Sequence, residues 1–265
     1  MEVYQVKRRS LIRNAGLNTL PFLSIAIFLS LWLWVASGEN AVIPTPIDVF
    51  NRFILFLGTP VSKISIQRHV WVSICRVLMG MGSAAVFGII FGMLLAMIPW
   101  FRSIFMPLFN MLRPIPPIAW IPLVTVWFGV GEFPKIFLVF YGCTVPVTIN
   151  TFTGISMVPD EFEHVGRIFH AGKWDRLRDV VLPSAIPAII AGIKASLSSA
   201  WMILLSSEMI SAKAGLGFLI TRGSDSNDLA LSMIAMILIG LIGCLMSLGL
   251  TFLERKLCPW KTELN

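Results

Sequence analysis

Few residues in this chain are of types and spacings that do chemistry. The histidines, His69, His164 and His170, have no metal-site companions, and no metal is assigned to them. Cys75, Cys143, Cys244 and Cys258 are dispersed, with neither metal-ligand spacing nor a disulfide framework. No nucleophile, base and acid fall into a catalytic pattern, and no Gly-rich loop ending in Lys-Ser/Thr cradles a nucleotide phosphate. What remains is of two kinds: isolated ionisable residues inside apolar runs, and a charged island between two such runs. Arg76, Arg113, Lys194 and Glu208 are of the first kind. The island, Pro159 to Trp174, is the second.

The elements that must position these residues are membrane spans. The 265 residues are 56% hydrophobic and 13% charged, about half the charged fraction of a soluble domain, with a mean hydropathy of +0.82. Continuous apolar runs reach the roughly 20 residues that cross a hydrocarbon core, and continuity rather than alternation predicts helices, not a barrel. The net charge of +7 then reads as span-flanking basic residues, not as a nucleic-acid surface. The expected fold is an all-α integral membrane protein of six transmembrane helices with both termini cytoplasmic.

The spans are expected at 20–37, 69–98, 104–128, 134–157, 184–207 and 230–253, after a cytoplasmic segment at 1–19. The first run has no small-residue cleavage site after it and is read as retained. Trp32 and Trp34 are its interfacial anchors, and Pro46 to Leu57 has the helical spacing of a segment lying along the outer interface. Gly88 and Gly92 allow close helix packing in the second span. The third is the odd one: Pro107, Pro114, Pro116, Pro117 and Pro122 each remove a backbone donor. Irregular backbone at membrane depth survives only in protein or beside a wet cavity, so this span is the first candidate for a pathway wall.

Charge counting gives the orientation. Twelve basic residues fall inside (Lys7, Arg8, Arg9, Arg13, Arg102, Arg167, Lys173, Arg176, Arg178, Arg255, Lys256, Lys261) and six outside (Arg52, Lys63, Arg68, Lys135, Lys213, Arg222). The halves show no convincing repeat, and the sequence shows no paired charges at mid-membrane, which disfavours a stand-alone carrier. The lack of a His, Asp or Glu cluster at one face disfavours a membrane-embedded enzyme.

The island has the pattern of a contact surface. Pro159 suits a first helical turn, and Asp160 and Glu161 complement a helix N-terminus. Phe162, Val165 and Phe169 recur at helical spacing, Glu161, His164 and Arg167 take another face, and Gly172 is placed to end the helix. Elsewhere, Arg113 either offers an anion a favourable potential or binds span-end carbonyls. Arg76 either snorkels or pairs with another span. Glu208, after Ser206 and Ser207, suits a gate or a structural pair. Trp120 and Trp201 either line a cavity or pack, and Ser196, Ser198 and Ser199 are placed to hydrogen-bond neighbouring helices. Arg113, Pro116, Trp120, Trp201, Ser207 and Glu208 are thus the pathway candidates.

The island's spacing resembles the cytoplasmic loop signature of ATP-binding-cassette importer permeases: Glu-Ala-Ala, three residues, Gly, nine residues, Ile, one residue, Leu-Pro. Glu-Ala-Ala falls on His164-Val165-Gly166, the Gly on His170, the Ile on Val180 and Leu-Pro on Leu182-Pro183. The acidic residue and central glycine are replaced, while Leu-Pro and the spacing are kept. Leu112 to Leu123, Trp127 to Glu132, Gly192-Ile193-Lys194-Ala195, Ser207-Glu208-Met209-Ile210 and Gly215-Leu216-Gly217-Phe218 are similar to the nitrate, sulfonate and taurine branch. The ending Arg255 to Trp260 is most like taurine permeases.

The resemblance implies the type I importer fold, with a single transmembrane domain over 20–265, its core at 66–253 and a coupling helix at 159–173. It implies a bacterial inner-membrane homodimer of permeases with two ATPase subunits and a periplasmic or lipid-anchored binding protein. ATP and Mg are then held by the ATPases, and this chain binds no cofactor. Glu161, Phe162, His164, Val165, Gly166, Phe169, His170, Lys173, Leu182 and Pro183 would couple to the ATPase. The substrate implied is taurine or another alkanesulfonate, with nitrate, an aromatic acid or a vitamin precursor as alternatives.

Overall fold

The computed structural model describes residues 20, 22–38, 42–159 and 172–259. The coupling residues Glu161, Phe162, His164, Val165, Gly166, Phe169 and His170 lie outside them. The described residues are helical, with no strand beyond a single bridge between Val61 and Ile64. The helices are α1 (Phe22–Ala36), α2 (Pro46–Gly58), α3 (Ile66–Met97), α4 (Pro99–Leu112), α5 (Ile121–Phe128), α6 (Glu132–Ser156), α7 (Leu182–Ser211), α8 (Leu216–Asp225) and α9 (Leu229–Leu257).

Four helical stretches are long and apolar enough to cross a membrane: α3, α6, Trp174–Ser211 and α9. The expected third span is instead two helices, Pro99–Leu112 and Pro117–Phe128, bent by 86°. Counted as one span, the pair brings the crossings among the described residues to five. The first expected span appears as the shorter apolar helix α1. The bend has a local cause: Pro114, Pro116 and Pro117 follow within four residues of Arg113, each removing a donor, and Pro117 disfavours helical backbone at the residue before it, although Arg113 before Pro114 stays helical. Pro116 itself is extended, at φ −59° and ψ 131°. Tyr141 of α6 donates its hydroxyl to the carbonyl of Leu112 (3.1 Å), satisfying one of the acceptors that the break orphans.

Helix α6 is the centre of the bundle, packed between α3 and α7. Small residues on α3 let it come close. A Cβ on Gly80 would sit 2.6 Å from the Val139 Cβ, one on Gly88 2.9 Å from the Val147 Cγ1, and one on Gly92 2.8 Å from the Thr148 carbonyl oxygen. With fully buried Ala84 between them, they make a four-residue repeat longer than the Gly88–Gly92 pair expected. At Gly92 the obstacle is backbone, so Gly92→Ala forces the helices apart. It should cost about 1–3 kcal/mol, whereas Gly82, with nothing within 4 Å, should accept alanine with no loss. Thermal unfolding of the two purified variants in detergent checks this.

The start of α7 bears on the retained Leu182-Pro183. A short helix, Lys173–Arg176, begins after Gly172, whose N–H donates to the Asp175 carboxylate (3.1 Å). Gly172 therefore stands immediately before a helix. A π-helical turn, Leu177–Val181, follows, with the Leu182 N–H donating to the Leu177 carbonyl. The wider turn eases the clash a proline ring makes with the carbonyl four residues back, and Pro183 stands in the first turn of α7.

Charged pairs fix the periphery. Thr45 and Asp48 form a reciprocal cap at the start of α2, and the Thr45 hydroxyl and N–H hold the Asp48 carboxyl below its ordinary pKa. Arg52 reaches the Asp228 carboxylate through both Nε (2.9 Å) and Nη2, tying α2 to the N-cap of α9. Lys194 of α7 donates to Glu254 of α9 at 2.7 Å.

Candidate functional site

Two polar places stand out in this apolar bundle, and they differ in kind. The first is where α3, α6 and α7 meet the start of α8. His69, Ser73 and Arg76 lie at intervals of four and three on α3 and so share one face. Arg76 Nη1 donates to Glu208 Oε1 and to the Ala214 carbonyl, both at 2.7 Å. Its Nε and Nη2 take the two oxygens of Glu132, each at 2.6 Å. Glu208 is fully buried and accepts further hydrogen bonds from Ser73 Oγ (2.8 Å) and the Gly217 N–H (2.9 Å).

The Ser73 oxygen accepts from the Leu216 N–H (2.9 Å), and His69 Nδ1 accepts from the Gly215 N–H (3.1 Å). The His69 ring also stacks on Phe218 at 5.7 Å. A carboxylate and two neutral acceptors thus meet the unpaired N–H groups at the N-terminus of α8. Gly215 makes this possible: its φ is +132°, and a Cβ there would meet the Glu208 carboxylate at 2.5 Å. Every polar atom at the centre of this cluster is matched, so it is a clamp that seats α8 on α3 and α7.

The second place is a cavity of about 520 Å³ between the broken helix pair, α6 and α7. Arg113 and Pro116 line it, with Tyr141, Asn150 and Ser199 as its other polar side chains. Among the described residues that line it, none is acidic. Among the described residues the Arg113 side chain has no ion pair, while Arg76, Arg52 and Lys194 each have one.

The cavity therefore brings together two of the six pathway candidates, Arg113 and Pro116. Trp120 stands beside it, its ring 5.5 Å from that of Tyr141. Trp201 does not line it: the side chain is in the hydrophobic core, with its indole nitrogen toward Gly243 of α9. The Ser207 hydroxyl donates within its own helix, to the Leu204 carbonyl at 2.7 Å, and Glu208 belongs to the clamp. Arg76 and Glu208 are the opposite charges that the sequence left unpaired. The serine group does not bridge helices as expected: Ser196 donates to Ile193 of α7 itself (2.7 Å). Sequence reasoning missed Ser73, Glu132, Tyr141 and Asn150; the shared face of His69, Ser73 and Arg76 was the signal available.

A helical bundle of this hydropathy, with a proline-broken helix bordering a cavity that Arg113 lines, is that of a multi-pass membrane protein. The sequence profile described as "Binding-protein-dependent transport system inner membrane component" matches residues 84–260, and the chain belongs to that family. It is 31% identical to the taurine transport system permease protein TauC of Escherichia coli (strain K12), over 93% of this chain and 91% of that protein. It is 29% identical to the nitrate import permease protein NrtB of Synechocystis, over 90% and 89%. A chain of the inward-facing MetNI methionine ABC transporter shares its fold, with a TM-score of 0.63 at 17% identity, over 78% of this chain and 98% of that one. The protein is thus an inner-membrane permease with the type I importer fold.

Proposed function

We propose that this chain is the transmembrane subunit of an ATP-driven importer for a small solute with an anionic head group, taurine or another alkanesulfonate. The observation that carries the anion is the cavity: among the described residues, Arg113 borders it without a counter-ion and no carboxylate lines it. The relatives named for taurine, nitrate and bicarbonate transport support the same class, since each solute presents an oxyanion.

In this reading two copies enclose the pathway, two ATPase subunits bind ATP and Mg, and a binding protein delivers the substrate on the α8 side. The chain has no nucleotide-phosphate loop of its own. The segment 159–173 is the coupling helix, with Phe162, Val165 and Phe169 as its apolar anchors and Glu161, His164, Gly166, His170 and Lys173 around them. Leu182 and Pro183, at the start of α7, complete the coupling set. Closure of the ATPases then moves the bundle as a body.

The test is co-purification followed by reconstitution. The tagged chain should recover an ATPase subunit, and vesicles carrying the complex should take up labelled taurine, nitrate or bicarbonate only with ATP. Phe162→Asp with Phe169→Asp should release the ATPase and abolish uptake. A complex that survives both changes overturns the coupling assignment, and ATP-independent uptake by the chain alone would establish a stand-alone carrier.

A further inference from the structure

The chemistry lining the cavity goes further than its charge. Its polar side chains are weighted towards donors. The Arg113 guanidinium offers N–H groups with no acceptor of their own among the described residues. Asn150 commits one amide N–H to the Pro146 carbonyl at 2.8 Å, which leaves the other. The Ser199 hydroxyl makes no hydrogen bond among the described residues, whereas Ser184, Ser206 and Ser211 on the same helix donate back to carbonyls. Tyr141 is the exception, its proton already given to Leu112. The rest of the wall is proline, isoleucine, valine, methionine and glycine, including Ile115, Met202 and Ile203.

Resting on the proposed anion pathway, we infer that Arg113, Asn150 and Ser199 form an oxyanion-reading site that favours a solute with an uncharged, apolar tail over a zwitterion. Three donors suit the several oxygens of a sulfonate or similar head group. The apolar wall suits a short hydrocarbon tail. A solute with an ammonium at its other end must strip that charge of water with no carboxylate among the described lining residues to receive it, and such desolvation is unfavourable. The clamp at α8 is not a rival site, because its carboxylates and donors already satisfy one another.

Ethanesulfonate and taurine (2-aminoethanesulfonate) differ by one amino group and make the comparison direct. Titration of each into the purified permease–ATPase complex, followed by calorimetry, should show ethanesulfonate binding about tenfold more tightly or better, the ratio for one polar group desolvated without a partner. Ser199→Ala and Asn150→Asp should each weaken ethanesulfonate by about tenfold or more, with Ser199→Thr restoring it and the melting temperature of each complex unchanged. Equal or tighter binding of taurine overturns the tail preference. Unchanged ethanesulfonate binding in both variants overturns the roles of Asn150 and Ser199, and leaves the importer reading standing if ATP-driven uptake persists. Should a variant lose its melting transition, the ethanesulfonate-to-taurine ratio of the unaltered complex still decides the tail preference.

Discussion

Glu208→Ala should destabilise the protein by about 3–5 kcal/mol, the cost of removing one partner from a buried ion pair. Arg76, with a side chain only 3% exposed, keeps its charge and retains Glu132, which is 63% exposed and shares its attraction with water. The Gly217 N–H loses its acceptor at the same time, and an unsatisfied buried donor costs about 1–3 kcal/mol. The loss should concentrate on α8. Its first amides, Leu216 and Gly217, should exchange with deuterium faster than those in the centre of α6. Thermal unfolding in detergent and hydrogen exchange on the same sample measure both. Arg76→Met with Glu208→Leu should be less damaging than Glu208→Ala, because it removes both buried charges and leaves only Glu132, which is 63% exposed to water, without a partner. If Glu208→Ala melts with the unaltered protein, the clamp is not what holds α8.

The clamp also shows where sequence reading reached its limit. Spans were legible because hydropathy is a local sum: α3, α6, α7 and α9 lie where continuous apolar runs predict them. The break after Arg113 was legible because proline acts on its own backbone and its immediate neighbours. Its angle was not, since the direction of the second helix depends on what α6 offers, including the Tyr141 hydroxyl. Pairings across the bundle were also illegible. Arg76 and Glu208 are 132 residues apart, and nothing local to either names the other. Trp201 illustrates the same gap, because the helix pattern around it does not say which neighbour covers it. The loop Gly215-Leu216-Gly217 was noticed for its resemblance, while its physical role needs the carboxylate it closes over.

Clamp and cavity divide the ionisable residues into two populations. In the clamp, Arg76 is shared between two carboxylates and every donor has an acceptor, which makes a rigid joint. At the cavity, charge is left open. A permease needs both: helices that move as a body and a passage whose binding groups are not already spent on the protein. The residues in the second population are therefore the ones whose substitution should alter transport without altering stability.

Arg113→Glu is the sharpest case. Arg113 is solvent-exposed and has no ion pair among the described residues, so the change removes no structural pair and the melting temperature should hold. The field in the cavity should invert. A unit charge about 5 Å from a passing anion contributes about 3 kcal/mol at an effective dielectric constant near 20. Exchanging attraction for repulsion of that size raises the anion's free energy there by about twice as much. Uptake should fall by more than 100-fold, since each 1.4 kcal/mol is tenfold. Arg113→Lys keeps the charge, loses the planar fork of donors, and should retain a substantial share of uptake. Rates of labelled-anion uptake into vesicles, with ATP hydrolysis recorded in parallel, separate a blocked pathway from a broken motor. In the reversed variant ATP hydrolysis should persist while uptake is lost, and unchanged uptake would remove Arg113 from the anion path.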